Sequence, residues 1–115
     1  MANTFKQISK AGVTSSDVIY TVAGSTTTIV LGLMIGNTQS ADITVTLTLS
    51  TDTANRSGAN NEDNQPVVLL TTTTIPANSS LELLSGNKIV LETTDVINLT
   101  ASAAADISIS VMEIT

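Results

Sequence analysis

The sequence predicts an all-β fold, an antiparallel β-sandwich, Ig-like or jelly-roll-like, of about eight strands. Three observations predict it. Thr27 to Asn37 (TTIVLGLMIGN) is apolar on both alternating faces, as a strand covered on each side must be. Ile43, Val45, Leu47 and Leu49 alternate strictly with Thr44, Thr46, Thr48 and Ser50, which is the pattern of a half-buried antiparallel strand. Short β-branched runs then recur with turn residues between them roughly every 8–12 residues. No helical period of 3.6 persists for three turns.

Composition sets the outer limits. The 115 residues fit one domain, which at this size buries about two-thirds of the surface of its unfolded chain. Hydrophobic residues are 42% of the chain but aromatic ones only 2%, so Ile, Val and Leu must build the core. The formal charge of −6 comes with only four basic residues, Lys6, Lys10, Arg56 and Lys88. Being scattered, they form no clustered basic footprint, and nucleic acid is not expected as a partner. Without cysteine or histidine there is no disulfide, no thiolate chemistry and no imidazole base or ligand. No apolar run approaches the roughly 20 residues of a membrane helix, so no membrane partner is expected. Met1 to Gln7 lacks the apolar centre of a signal peptide, and the chain is expected to stay in a cytoplasm until assembly or lysis.

In chain order, Phe5 to Lys10 is expected as an edge strand or arm anchored by Phe5 and Ile8, with residues 1–12 able to reach a neighbouring subunit. Asp17 to Val22 reads as a strand, and the turn at Ala23-Gly24-Ser25-Thr26 is expected to join it in a hairpin to the apolar strand. That strand is central. From Thr51 to Gln65 no apolar residue larger than Ala occurs, which predicts a long exposed loop. Its Asp52, Asn55, Asn60, Asn61, Glu62, Asp63 and Asn64 offer oxygen ligands, but their spacing matches no calcium loop, and solvation is the preferred reading. Val67 to Ile75 continues as one strand or as two bent at the threonines. Leu81 to Leu84 and Lys88 to Glu92 flank Ser85-Gly86-Asn87, and Val96 to Ser102 follows Asp95. In the last strand, Asp106 to Thr115, the phase slips: Ile107, Ile109 and Val111 share one face while Met112 and Ile114 take the other. Either a bulge at Val111-Met112 or a partner on the second face would accommodate this.

Little here supports catalysis. Glu82, Glu92, Asp95 and Glu113 fall on outward phases or in turns and read as solvated surface rather than as paired catalytic carboxylates. The Asn-x-Ser/Thr sequons at Asn55, Asn78 and Asn98 read as chance occurrences in a chain without a secretory route. Phe5 and Tyr20 alone make a poor aromatic platform for sugars. No enzyme activity, cofactor or metal is expected.

Three segments carry a family resemblance: Val18 to Thr27 (VIYTVAGSTT), Ile29 to Thr38 (IVLGLMIGNT) and Ile75 to Glu92 (IPANSSLELLSGNKIVLE), followed by Asp106 to Ile114. Together they resemble small virion structural proteins of tailed bacteriophages, notably those infecting marine cyanobacteria, across nearly the whole chain. The family's shorter members carry glycine where this chain has Asn78. The resemblance implies a non-enzymatic β-sandwich forming homo-oligomers in the virion. It favours an accessory capsid decoration or cement protein bound to other virion proteins such as the major capsid protein. A neck, tail or fibre-attachment component is the alternative, and a glycan- or receptor-binding module is a reading from another class. Independently, apolar residues exceed what one domain can bury at Val30 and Met34, at Met112 and Ile114, and at Leu81, Leu83 and Leu84. These residues and Phe5 predict a homo-oligomer, a trimer or larger, with Val30, Met34, Met112, Ile114 and Phe5 at its interface.

Overall fold

The computed structural model describes residues 2–51, 66–84 and 87–115. Its strands are β1 (Asn3–Val13), β2 (Asp17–Thr21), β3 (Thr27–Asn37), β4 (Ile43–Ser50), β5 (Pro66–Ile75), β6 (Ser80–Glu82), β7 (Ile89–Leu91), β8 (Val96–Ala101) and β9 (Ala105–Ile114). Sheet A has the order β1-β9-β3-β6, with β7 also on β3, and sheet B has the order β2-β8-β4-β5. All pairings are antiparallel. β6 and β7 run along the same edge of β3, at Met34–Gly36 and Thr28–Val30 respectively, so they act as one interrupted edge strand. With those two merged, the connectivity is that of a jelly roll, eight strands in two facing sheets. The expected sandwich is therefore present.

The core lies between the sheets. Ile43, Val45 and Leu47 of β4 are buried while Thr44, Thr46 and Thr48 are half-buried, as the alternation predicted. Against them pack Leu33, Ile35, Ile107, Ile109 and Val111 of sheet A. β3 is enclosed by strands on both edges, β9 on one and β6 with β7 on the other.

One local expectation is corrected, and one of the two alternatives for the last strand is excluded. β2 does not form a hairpin with β3: it pairs with β8 in sheet B, and the Ala23–Thr26 turn carries the chain across the sandwich into sheet A. Nor does β9 bulge at Val111-Met112. Its register with β1 runs unbroken from Lys10↔Ile107 to Asn3↔Ile114, and the irregularity sits in β3, between Val30↔Val111 and Gly32↔Ser110. One extra residue, Leu31, resets the phase of β3. Thr28 and Val30 point inward before it, and Leu33, Ile35 and Asn37 after it. The strand looked apolar on both faces because a single inward face changes phase halfway along it.

β5 is one strand bent at its threonines, where Thr72 has φ 46° and the register with β4 shifts. β1 lies along β9 of its own subunit as an edge strand, nearly all exposed, with Ile8 half-buried and Val13 buried. Its bulge falls between Lys10 and Val13, where Gly12 takes φ 69°, a conformation that costs glycine little.

Candidate assembly surface

The solvent side of sheet A follows directly from its registers. Phe5 pairs with Met112, Met112 with Ile29 and Ile29 with Val90, so four apolar side chains form one row across the whole sheet. Phe5 is 71% exposed and Val90 56%, while Ile29 and Met112 are half-buried by their neighbours. The flanking row on one side is Asn3, Ile114 and Thr27. On the other side lies Gln7, Ser110 and Gly32, and beyond it Ser9, Ser108, Met34 and Glu82.

Small residues open a trough in this second half. A methyl group built on Gly32 meets no atom, and one on Gly36 meets only the Asp106 carbonyl oxygen at 3.9 Å. The resulting groove, about 470 Å³, is lined by Ser9, Ala11, Met34, Gly36 and Ser108 among others. Met34 stands in it 45% exposed. The face thus has a bulky apolar end and a hollow end. Two acidic outward residues, Glu82 and Asp106, lie at the hollow end, where Lys10 also lines the groove.

Inside, the polar groups at the rim of the sandwich hold one another. Tyr20 of sheet B donates to Glu113 Oε2 of sheet A at 2.6 Å, and its hydroxyl lies 2.7 Å from Thr28 Oγ1. Since Tyr20 has one proton and gives it to Glu113, Thr28 donates to Tyr20. Lys6 Nζ of β1 lies 2.8 Å from Glu113 Oε1. Burial first, then the hydrogen bond to Glu113, pushes the Tyr20 hydroxyl up to about 12. The Lys6 ammonium and then the Tyr20 hydroxyl hold the Glu113 carboxyl below its ordinary value. Asn37, 3% exposed, donates through Nδ2 to the carbonyls of Ala41 and Ile75 at 2.9 Å and of Pro76 at 3.1 Å, and accepts from Gln39 N–H at 2.8 Å.

Four of the five residues expected at an interface, Phe5, Met34, Met112 and Ile114, fall on this outer face. Val30 does not. It is wholly buried between the sheets, because the extra residue at Leu31 places it in the inward phase. Leu84 is also buried, and Leu81 and Leu83 pack partly on the core, so that apparent excess is absorbed within the subunit. Ile29 and Val90 belong to the row and were missed; the signal that places Ile29 there is the bulge, which leaves no mark in the sequence. The reading of all four acidic residues as solvated surface is corrected as well. Asp95 is fully buried and accepts the Glu92 N–H on Oδ2 at 2.9 Å, and Glu113 is largely enclosed at 13% side-chain exposure.

Among the described residues, no three Asp or Glu side chains gather into a metal-binding group, and no helix is long and apolar enough to cross a membrane. The ligand candidates between Asp52 and Asn64 lie outside the described residues.

Comparison with protein-family models finds no match, and neither does comparison with curated proteins. Among solved structures, the chain is similar to one from Bacillus endospore appendages, described as a novel family of disulfide-linked pili. The TM-score is 0.51 at 14% identity, over 99% of this chain and 87% of that one. At this identity the likeness concerns the fold alone.

Proposed function

We propose that the protein is a non-enzymatic structural subunit that works by assembling with copies of itself. The observation that carries this reading is the row Phe5, Met112, Ile29 and Val90 laid across the outer face of sheet A. A subunit that worked alone would gain nothing from placing apolar side chains in a continuous stripe on water, whereas assembly surfaces are rich in aromatic and Met side chains at their centre. The solved structure it resembles belongs to Bacillus endospore appendages described as pili, which agrees with a structural reading. This chain has no cysteine and cannot make the disulfide links named for those pili, so packing and sheet contacts would have to hold its assemblies.

The resemblance to tailed-phage virion proteins supplies the setting: an accessory decoration or cement protein on the capsid, bound to the major capsid protein. The test has two parts. Light scattering of the purified chain at micromolar concentration should give a mass above that of one subunit. Mature phage heads stripped of accessory proteins should then bind it saturably, at a number of copies matching their lattice points. A monomer that leaves such heads bare would overturn the proposal.

A further inference from the structure

Resting on that assembly reading, we infer that the partner on the outer face of sheet A is the same face of a second copy, with strands antiparallel across a two-fold axis. The axis passes through the row Gln7, Ser110 and Gly32, so each copy seats its Phe5 in the other's groove. Three features of the face carry this.

The first is shape. Rotation about an axis through the Ser110 row, in the plane of the sheet and perpendicular to its strands, keeps each strand opposite its own counterpart and reverses its direction. The row two residues away on one side then meets the row two residues away on the other. Met112 and Phe5 face Ser108 and Ser9 of the second copy, and the protruding row meets the groove beside Met34. A two-fold contact requires this kind of self-complementarity, in which one patch supplies both knob and hole. At the axis, Ser110 and Gly32 have little or no side chain, and Gln7, on the edge strand, turns its amide along β9 to donate to Ser108 Oγ at 3.1 Å, so the sheets can approach closely over β9 and β3.

The second is charge. Glu82 and Asp106 are both acidic and both at the hollow end. The antiparallel arrangement sends the two acidic ends to opposite ends of the interface, whereas a two-fold axis along the strands would stack them together, and like charges so placed are unfavourable. The third is area. Four strand positions at about 4.8 Å spacing, each about 11 residues long at about 3.3 Å per residue, give a face of about 700 Å². That is close to the roughly 800 Å² per partner found in stable interfaces. The smallest assembled unit is then a dimer rather than the trimer expected from the sequence, and larger assemblies add contacts elsewhere.

Because the chain has no cysteine, single-cysteine variants test the geometry cleanly. Ser110→Cys should give a covalent dimer with a short bis-maleimide. An equal mixture of Met112→Cys and Ser108→Cys should cross-link far more than either alone. Phe5→Ala should weaken the dimer about tenfold or more. Gly32→Arg, whose added atoms enter open space within the subunit, should give a folded monomer by circular dichroism and light scattering. An associated protein in which Met112→Cys links to itself and not to Ser108→Cys, or in which only Thr48→Cys on sheet B links, overturns the geometry and spares the assembly reading. A folded wild-type monomer at micromolar concentration overturns both.

Discussion

The hydroxyl of Tyr20 and the carboxylate of Glu113, 93 positions apart in the chain, meet at 2.6 Å and tie the two sheets together at the rim of the sandwich. Lys6 anchors the edge strand β1 to the same carboxylate. The bond makes stability depend on pH at both ends. Glu113 has its folded pKa lowered, so its contribution is present above the ordinary value of 4.5 and is lost as pH falls through the folded value. Tyr20 has its folded pKa raised from 10.0 to about 12, so its contribution is complete below 10.0 and is lost as pH rises through about 12. Thermal melts across pH should show a plateau with a fall on each side. Tyr20→Phe should remove the alkaline fall, and Glu113→Gln should flatten the acid one. An unchanged profile in both variants would show that the clasp does not form in solution.

Asn37 stitches the β3–β4 connection to the end of β5, giving its amide protons to three carbonyls while almost wholly buried. Asn37→Ala should cost about 2–4 kcal/mol, since it leaves the buried Ile75 carbonyl without this donor and opens a space in the nearly enclosed site. Asn37→Asp should cost at least as much, because an ionised carboxylate only accepts and would face those oxygens. Urea unfolding of both variants checks the order.

Val30 and Met34 were expected on one surface and are separated by the bulge. Val30→Ala should lower the stability of the subunit by about 2 kcal/mol and Leu47→Ala by about 2–5 kcal/mol, both side chains being fully enclosed. Met34→Ser should leave the monomer within about 0.5 kcal/mol, as surface changes do, while weakening self-association. A large loss of monomer stability at Met34 would place it in the core instead.

Thr72 is β-branched and exposed, yet has φ 46°. Left-handed backbone costs an L-residue about 1–2 kcal/mol and asparagine less. Thr72→Asn should therefore raise the thermal midpoint, by the equivalent of about 0.5–1 kcal/mol, whereas Thr71→Asn should not. Chemical denaturation of the pair distinguishes them.

What the sequence made legible was pattern within a strand. Ile43 to Ser50 was readable because its two faces differ in chemistry, and β9 because its change of face at Met112 is real. Phase within β3 was not readable: Ile29, Val30, Leu31 and Leu33 are interchangeable to any count of apolar residues, so nothing reveals that Leu31 is the extra one. The β2–β3 hairpin failed for a related reason. Ala23-Gly24-Ser25 encodes a reversal of direction, and the same residues serve whether the next strand lies beside the last or in the facing sheet. Asp95 and Glu113 were expected on the surface because they fall in a turn or on a phase read as outward, but what holds Glu113 inside is Tyr20 and Lys6, distant in sequence. For the same reason, Tyr20 and Asn37 in the phage-like pattern now have a structural role. They are stitches of the fold, so the pattern follows the architecture more closely than any position in a particle.

The place of β9 between β1 and β3 bears on how the chain becomes a folded molecule. It follows every other strand in the chain yet fills the interior of sheet A, with β1 on one side and β3 on the other. Sheet B has all four of its strands before β9 is made. During synthesis, then, one layer can close while the other waits with the edges of β1 and β3 unpaired, and open strand edges are what bring chains into wrong contacts. Pairings this distant along the chain also form slowly. The interval before β9 docks is the period of greatest exposure to aggregation, and a chain shortened by a few residues within β9 should be lost to inclusion bodies rather than accumulate as a slightly weaker sandwich.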